Sequence, residues 1–211
     1  MIPRPLTNRN TVLLICDIQE KFRHAIYGFD SVVHTTLKVL KCAKLLEIPA
    51  IVSEQNPKAL GSTVDTLVSE IQALPSHSTF SKTKFSMIIP EVEEELKKAK
   101  YENAIILGIE SHVCVLQTTL DLLRSNISVY VLADGISSCN RQEVPIAMDR
   151  MRQAGAYITT SESILFELMN DAKTSVFKPL SAIAFNKDEK ATTRETLETL
   201  LDGGAVPKSS L

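Results

Sequence analysis

Three residues far apart in the chain have side chains that could together perform nucleophilic catalysis: Asp17, Lys84 and Cys114. A cysteine thiolate can attack a carbonyl carbon, and a carboxylate can take up the thiol proton. An ammonium group nearby would stabilise the thiolate. This chemistry needs the three side chains to meet, so the elements that position them decide whether it can occur.

Asp17 comes directly after an apolar run at residues 12–16, which predicts a buried strand, and Gln19 follows two residues later. A carboxylate at the end of a buried strand is either the cap of the next helix or a functional group. This segment alone gives the two alternatives about equal weight.

Cys114 lies between a predicted strand that ends at residue 109 and an apolar stretch of helical periodicity. It therefore falls in or near the first helical turn, where aligned peptide dipoles favour a thiolate. The free N–H groups of that turn could also stabilise an oxyanion. Taken alone, however, the segment favours the commonest role of a free cysteine, a small buried apolar side chain.

Lys84 lies in an irregular stretch, residues 80–87, and precedes Phe85. A lysine beside aromatic residues is usually a solvated charge on an apolar stem. Lys84 has a catalytic role only if it approaches Asp17 and Cys114.

Short β-branched runs alternate along the chain with longer stretches of helical periodicity. The predicted strands are residues 11–16, 50–53, 104–108, 129–133 and 157–160. Continuously apolar strands that alternate with helices predict a three-layer α/β/α fold with a doubly wound, mainly parallel, Rossmann-like sheet. Ligands of such folds bind outside the carboxyl ends of the strands. We place the domain at residues 11–186, after an N-terminal extension (1–10) and before a polar C-terminal tail (187–211).

Three segments, residues 14–19, 84–87 and 108–115, together resemble the isochorismatase-like cysteine hydrolase superfamily in their order, spacing and strand context. The resemblance covers roughly residues 10–172. It is closer to one branch, the eukaryotic isochorismatase domain-containing proteins, through further segments: 16–23, 53–57, 60–64 and 150–156.

The resemblance implies a Cys–Asp–Lys triad in which Cys114 is the nucleophile, Asp17 takes its proton and Lys84 holds the thiolate. It also implies a non-proline cis peptide bond between Ile109 and Glu110. That bond would direct the N–H of Glu110, together with that of Cys114, at the oxyanion. The reaction would form a thioester, which water then hydrolyses.

The chain departs from the superfamily in two places. Nicotinamidases bind a metal through an aspartate and histidines after the second strand, whereas residues 54–58 contain no histidine, and the four histidines of the chain show no ligand spacing. We therefore expect no metal and no other cofactor. Glu110 stands where the wider family has a small residue, and its charge at the site mouth could repel an anionic substrate.

Five further residues are candidates to line the pocket. They are Gln19, Phe22, Glu54, Gln55 and Phe85. Glu54 and Gln55 end the second predicted strand, and a helix-capping role is about equally favoured for them.

Composition excludes several other classes of function. The 211 residues are 44% hydrophobic, and 23 basic against 25 acidic residues give a net charge of -2. This balance argues against binding to nucleic acid or to anionic membranes, and apolar runs of about five residues are far shorter than a membrane span. The four cysteines have no paired spacing, which is typical of free thiols in a reducing compartment.

The sequence thus predicts a cytoplasmic, metal-independent cysteine hydrolase of a small amide, ester or related C–N bond. A mitochondrial, nuclear or peroxisomal location stays open. The expected partners are a small-molecule substrate and, from the resemblance, further copies of the chain. The alternative is a catalytically silent relative that binds a small molecule or a protein in the same cleft.

Overall fold

A computed structural model of the protein describes residues 5–202. Its sheet has six strands: β1 (Thr11–Cys16), β2 (Ala50–Gln55), β3 (His77–Lys82), β4 (Asn103–Ile109), β5 (Ser128–Ser137) and β6 (Tyr157–Thr159). Their order in the sheet is β3-β2-β1-β4-β5-β6, and each neighbouring pair is parallel. The carboxyl ends of all six strands therefore lie at one edge of the sheet.

Helices cover both faces of the sheet. They are α1 (Phe29–Leu46), α2 (Pro57–Leu60), α3 (Asp65–Gln72), α4 (Pro90–Ala99), α5 (Leu116–Arg124), α6 (Glu143–Ala154), α7 (Ser161–Met169), α8 (Phe177–Ala184) and α9 (Lys187–Leu197). One apolar core joins the sheet to α1, α3, α7 and α8, and a second core joins its other face to α4, α5 and α6. The predicted three-layer α/β/α architecture is confirmed.

The alternation of side chains along β1 shows how one strand serves both cores. Leu13 and Ile15 belong to the first core, whereas Leu14 and Cys16 belong to the second, and all four are almost fully buried. Because successive side chains of a strand point to opposite faces, a strand buried on both faces must be continuously apolar. This is the pattern that identified β1 in the sequence.

The edge strand β3 was not predicted. Its residues alternate between exposed and half-buried as far as Lys82, which is buried, and only Phe80 among them is a large apolar residue. An edge strand with one solvated face does not need the apolar run that the inner strands share. The stretch at residues 80–87, which we expected to be irregular, thus begins with the last residues of β3.

The chain continues the fold well past residue 186. In α9, Thr193 accepts a hydrogen bond from Lys38 Nζ of α1 (2.8 Å), and Glu189 contacts His34 Nε2 (2.8 Å). A π-helical turn, Glu198–Asp202, follows and buries Leu200. The expectation of a polar tail from residue 187 is therefore wrong as far as Asp202, and the rest of that tail lies outside the described residues.

Leu6 of the expected N-terminal extension is buried in the first core, and residues 1–4 lie outside the described part of the chain. Between residues 5 and 202, no helix combines the length and the apolar character that crossing a lipid bilayer requires.

Candidate active site

Asp17 is the first residue after β1, and it is almost completely buried at the carboxyl edge of the sheet. Its backbone has a φ of 51°, in the left-handed region, and its N–H donates to Ser53 O (3.1 Å). The Ser53 hydroxyl donates to Asp17 Oδ1 (2.8 Å), so that β2 fixes the orientation of the carboxylate. Asp17 does not cap a helix.

Lys82, the last residue of β3, forms a buried ion pair with Asp17. Its Nζ lies 2.7 Å from Asp17 Oδ2 and also donates to Gln55 Oε1 (2.7 Å) and Phe85 O (2.9 Å). The side chain is 0% exposed. Burial by itself would lower the pKa of Lys82, but its electrostatic interactions with the Cys16, Asp17 and Cys114 side chains outweigh it and raise that pKa above its ordinary value.

Lys84 is not in this cluster, and the expectation that it approaches Asp17 and Cys114 is wrong. Its side chain is 53% exposed and forms a surface ion pair with Asp121 (3.2 Å). Its Nζ also donates to Ile88 O (2.9 Å). Because β3 extends to Lys82, the lysine at the carboxyl end of the strand faces the site, and the chain has left the sheet two residues later.

Cys114 lies in a π-helical turn, Ser111–Val115, that joins β4 to α5. The thiol is buried with only a small exposed fraction, and the Cys114 Sγ, Asp17 carboxylate and Cys16 Sγ positions lie within 4.8 Å of one another. The Thr118 hydroxyl donates to Cys114 O (2.7 Å) and holds the turn. The fold thus brings Asp17 and Cys114 together, as the sequence predicts.

A second thiol, that of Cys16, lies close to both the Asp17 carboxylate and the Cys114 thiol. Its Sγ donates to Asp17 Oδ2 at 3.6 Å. Burial, followed by a hydrogen bond with Cys114 and the charge of Asp17, raises the pKa of Cys16 well above its ordinary value. Cys16 is therefore protonated and serves as a neutral neighbour of the site.

The peptide bond between Ile109 and Glu110 is cis, at the position that the resemblance implied. Glu110 leads into the π-helical turn, and its carbonyl accepts hydrogen bonds from the N–H groups of Val113 and Val115 (both 3.1 Å). Its side chain is turned toward the loop after β5, where Oε2 accepts from Cys139 N (2.8 Å). That the N–H groups of Glu110 and Cys114 point toward the oxyanion of a bound intermediate stays a prediction.

A cleft of about 280 Å³ opens above Asp17 and Cys114. Of the five residues expected to line it, Phe22, Gln55 and Phe85 do so, and Asn56, Leu60, Ile109, Glu110 and Val113 complete its walls. The cleft is of the size that small molecules occupy. Leu60 and Asn56, which belong to the short α2 region after β2, carried no sequence signal that marked them for the site.

Gln19 and Glu54 do not line the cleft; their hydrogen bonds hold the segments that form its wall. Gln19 Nε2 donates to Gln55 O (3.0 Å), and its Oε1 accepts from Gln55 N (2.8 Å). Glu54 Oε1 accepts from the N–H (2.7 Å) and the hydroxyl (2.9 Å) of Thr63. Gln19 therefore ties the segment after β1 to the end of β2, and Glu54 ties the end of β2 to the segment before α3.

A larger cavity, about 510 Å³, lies against α1 and α7, and its walls include Leu6, Leu46 and Asn170. Among the described residues that line it there is no cysteine, histidine or lysine. Asp17 and Cys114 line the smaller cleft instead, which is therefore the candidate active site.

Three groups at the site, Cys16, Asp17 and Cys114, are close enough together to share a metal ion. The Lys82 ammonium, however, already occupies Asp17 Oδ2. A cation would have to be accommodated beside a buried positive charge, so the electrostatics of this cluster oppose a metal.

Residues 11–163 match the model of the Isochorismatase domain family. Isochorismatase domain-containing protein 2 from Xenopus laevis is 44% identical over 179 residues, which cover 84% of this chain and 85% of that protein. The secreted isochorismatase effector Isc1 from Phytophthora sojae is 41% identical over 180 residues, covering 84% and 86%. The chain belongs to the isochorismatase family.

Solved structures share the fold. That of the MAR1 ribonuclease from Caenorhabditis elegans superposes with a TM-score of 0.85 at 38% identity, over 99% of this chain and 100% of the other. The YcaC gene product from Escherichia coli, described as an octameric hydrolase of unknown specificity, gives a TM-score of 0.72 at 19% identity, over 96% and 94%.

Proposed function

We propose that the protein is a cysteine hydrolase that cleaves a small amide, ester or related C–N bond. In this proposal Cys114 is the nucleophile, Asp17 is the general base and Lys82 supplies the positive charge beside them. The observation that carries the proposal is the buried Lys82–Asp17 ion pair, with Nζ and Oδ2 2.7 Å apart, next to the thiol of Cys114. The Isochorismatase domain match supports the hydrolase class.

Each group has a defined task in the reaction. Asp17 takes the proton of Cys114, and the thiolate attacks the carbonyl carbon while Lys82 compensates the negative charge. The N–H groups of Glu110 and Cys114 stabilise the oxyanion. The protonated Asp17 then returns its proton to the leaving amine or alcohol, and a thioester remains on Cys114. Water, deprotonated by Asp17, attacks the thioester and releases the acid.

A non-catalytic binder has no chemical need for this arrangement. Burying a carboxylate and an ammonium costs free energy even when they are paired, and an apolar pair of the same volume is often as stable or more stable. Phe22, Leu60 and Phe85 give the cleft enough apolar surface to bind a small molecule without the ion pair. The buried charges therefore favour catalysis over binding alone.

The pH dependence of alkylation tests the reactive thiol directly. Each cysteine is followed by peptide mass spectrometry after treatment with iodoacetamide, in the wild type and in Lys82→Met and Lys84→Met. We expect Cys114 to react below about pH 8, where an ordinary thiol is mostly protonated, and to lose this advantage only in Lys82→Met.

Cys139 is the internal control because it is exposed, and a hydrogen bond with Glu110 raises the pKa of its thiol. If Cys114 reacts no faster than Cys139 at low pH, the thiolate is not formed, and the protein is then a binder. A reactive Cys114 is followed by a screen of small amides and esters, for which Cys114→Ser should abolish turnover.

A second candidate function is cleavage of RNA, because the structure with a TM-score of 0.85 and 38% identity is that of a ribonuclease. The net charge of -2 and the absence of a basic stripe in the sequence disfavour it. Incubation with labelled single-stranded RNA decides between the two functions. Cleavage that is lost in Cys114→Ser would establish the ribonuclease, and intact RNA would exclude it.

We further propose that the protein acts as a homo-oligomer. The octameric YcaC gene product of Escherichia coli has the same fold, and the exposed apolar side chains of Phe85 and Ile146 are available for contacts between copies.

A further inference from the structure

A second cluster of reactive groups lies outside the Cys114–Asp17–Lys82 site. It consists of Glu110, His112 and Cys139, whose ligand atoms all lie within 4.8 Å of one another. Glu110 and His112 belong to the segment after β4, and Cys139 belongs to the loop after β5. The fold therefore joins three groups that have no metal-ligand spacing along the sequence.

The contacts inside the cluster hold these side chains in place. Glu110 Oε2 accepts from Cys139 N (2.8 Å), which ties the carboxylate to the loop after β5. His112 Nδ1 lies 2.9 Å from the hydroxyl of Ser138, a fully buried residue. A hydroxyl bonded to one ring nitrogen fixes the plane of the imidazole, as partners of metal-binding histidines commonly do.

A thiolate, an imidazole and a carboxylate are together the ligand types that zinc-like ions select. Two of these ligands are anionic, so they neutralise a divalent cation. The exposed position of Cys139 gives an ion a path from solvent, whereas Cys16, Cys42 and Cys114 are buried. Three protein ligands would leave a fourth position for water or another small ligand.

We propose that Glu110, His112 and Cys139 bind a divalent transition-metal ion of the zinc class. Glu110 also lines the cleft above Cys114, so the ion adjoins the mouth of the site and compensates the carboxylate there. This role accounts for a glutamate at a position where a free negative charge would repel anionic ligands. Binding displaces the thiol proton of Cys139, and the affinity therefore increases with pH.

Titration with Co²⁺ in a non-thiol reductant tests the proposal without any measurement of activity. Thiolate coordination to Co²⁺ produces a charge-transfer absorption that carboxylates and imidazoles do not give. We expect one Co²⁺ per chain, displacement by Zn²⁺, and loss of the band in Cys139→Ser. His112→Gln and Glu110→Gln should weaken binding by more than about 10-fold, and Ser138→Ala by about 10-fold.

The matched control is Cys114→Ser, which removes the thiol of the other cluster and should leave the band unchanged. A band that is lost in Cys114→Ser but kept in Cys139→Ser would place the metal at the nucleophile and overturn the proposal. Absence of saturable Co²⁺ and Zn²⁺ binding to the wild type would also overturn it. Neither result depends on whether the protein is a hydrolase.

Discussion

At the scale of single residues, Lys82 and Lys84 illustrate how differently two neighbouring lysines can be placed. Lys82 is completely enclosed and contacts Asp17, whereas Lys84 is about half exposed and pairs with Asp121 at the surface. Desolvation makes an unpaired buried charge costly, while an exposed ion pair contributes little to stability. The two residues therefore provide a matched pair of variants.

Lys82→Met is expected to lower the free energy of unfolding by about 3–5 kcal/mol, because the Asp17 carboxylate stays buried without its cation. Lys84→Met should change it by less than about 1 kcal/mol. Urea unfolding followed by circular dichroism measures both values. Equal effects of the two substitutions would mean that the Asp17–Lys82 pair is not buried as described.

Cys42 gives a pH-dependent prediction that is independent of the site. Burial raises the pKa of its thiol from 9.0 to about 12. Between these values the unfolded chain has lost the proton and the folded chain keeps it, so stability falls as the pH rises. The contribution of Cys42 declines by up to about 1.4 kcal/mol per pH unit.

Unfolding free energies of the wild type and Cys42→Ala, compared from about pH 8 to pH 11, isolate this contribution because the other groups titrate in both proteins. The wild type should lose stability more steeply above pH 9. Parallel curves would contradict the prediction.

The sequence identified two of the three groups of the candidate triad and missed the third. Asp17 and Cys114 follow continuously apolar strands, so their positions at the carboxyl edge of the sheet could be predicted. Lys82 could not be recognised in this way because β3 is a polar edge strand. The choice of Lys84 rested on its residue type and on the resemblance, and it placed the lysine two positions too late.

At the scale of elements, the contact between β1 and β4 depends on Gly108. This residue lies opposite Cys16 and has a φ of +119°. A Cβ at this position would lie 2.1 Å from Cys16 O, a backbone atom that cannot move without displacing β1. Gly108 therefore lets the two strands approach each other next to Asp17.

Gly108→Ala is expected to destabilise the fold by more than about 2 kcal/mol and to slow the alkylation of Cys114. Gly155→Ala is the control, since Gly155 also has a positive φ (+108°) but has nothing within 4 Å of the added Cβ. That variant should cost only the backbone strain, about 1–2 kcal/mol. Thermal unfolding of both variants separates the destabilisation caused by the steric clash from that caused by the backbone strain.

The four inner strands were predictable because they are largely buried on both faces, as the apolar residues of β1 and β4 show. Their ends were less certain: β5 continues to Ser137, past the predicted end at residue 133. The segment that it adds contains Asp134, whose carboxylate accepts from the N–H of Ser161 (2.8 Å) at the start of α7. Such a buried polar contact between distant elements leaves no periodic signal in the sequence.

At the scale of the whole molecule, α9 shows that the C-terminal segment is part of the domain. Its Thr193 is buried against Lys38, and Leu200 in the following turn belongs to the first core. A chain that ends after Asn186 should lose at least about 2 kcal/mol of stability, of which the burial of one leucine supplies about 1.5–3 kcal/mol. Denaturant unfolding of the truncated and full chains would reveal equal stabilities if the domain instead ended at residue 186.

The proposed oligomer is tested by sedimentation velocity at several protein concentrations. We expect a mass that is a multiple of 23.3 kDa. Ile146→Asp, which replaces an exposed apolar side chain of α6 with a charged one, is the variant that probes the interface. Ile88→Asp would be unsuitable because Ile88 packs against the second core, so that its substitution would also destabilise the fold. A monomer at every concentration would exclude the oligomer.

The order of the strands along the chain has a consequence for how the protein is made. Asp17 directly follows β1, and Gln55 and Lys82 end β2 and β3; these three strands are neighbours in one half of the sheet, and Cys114 follows β4. Because synthesis proceeds from the N-terminus, the ribosome completes the carboxylate, the amide and the ammonium before it adds the cysteine. The nucleophile is thus the last of the four groups to be translated, and its chemical partners precede it in every nascent chain.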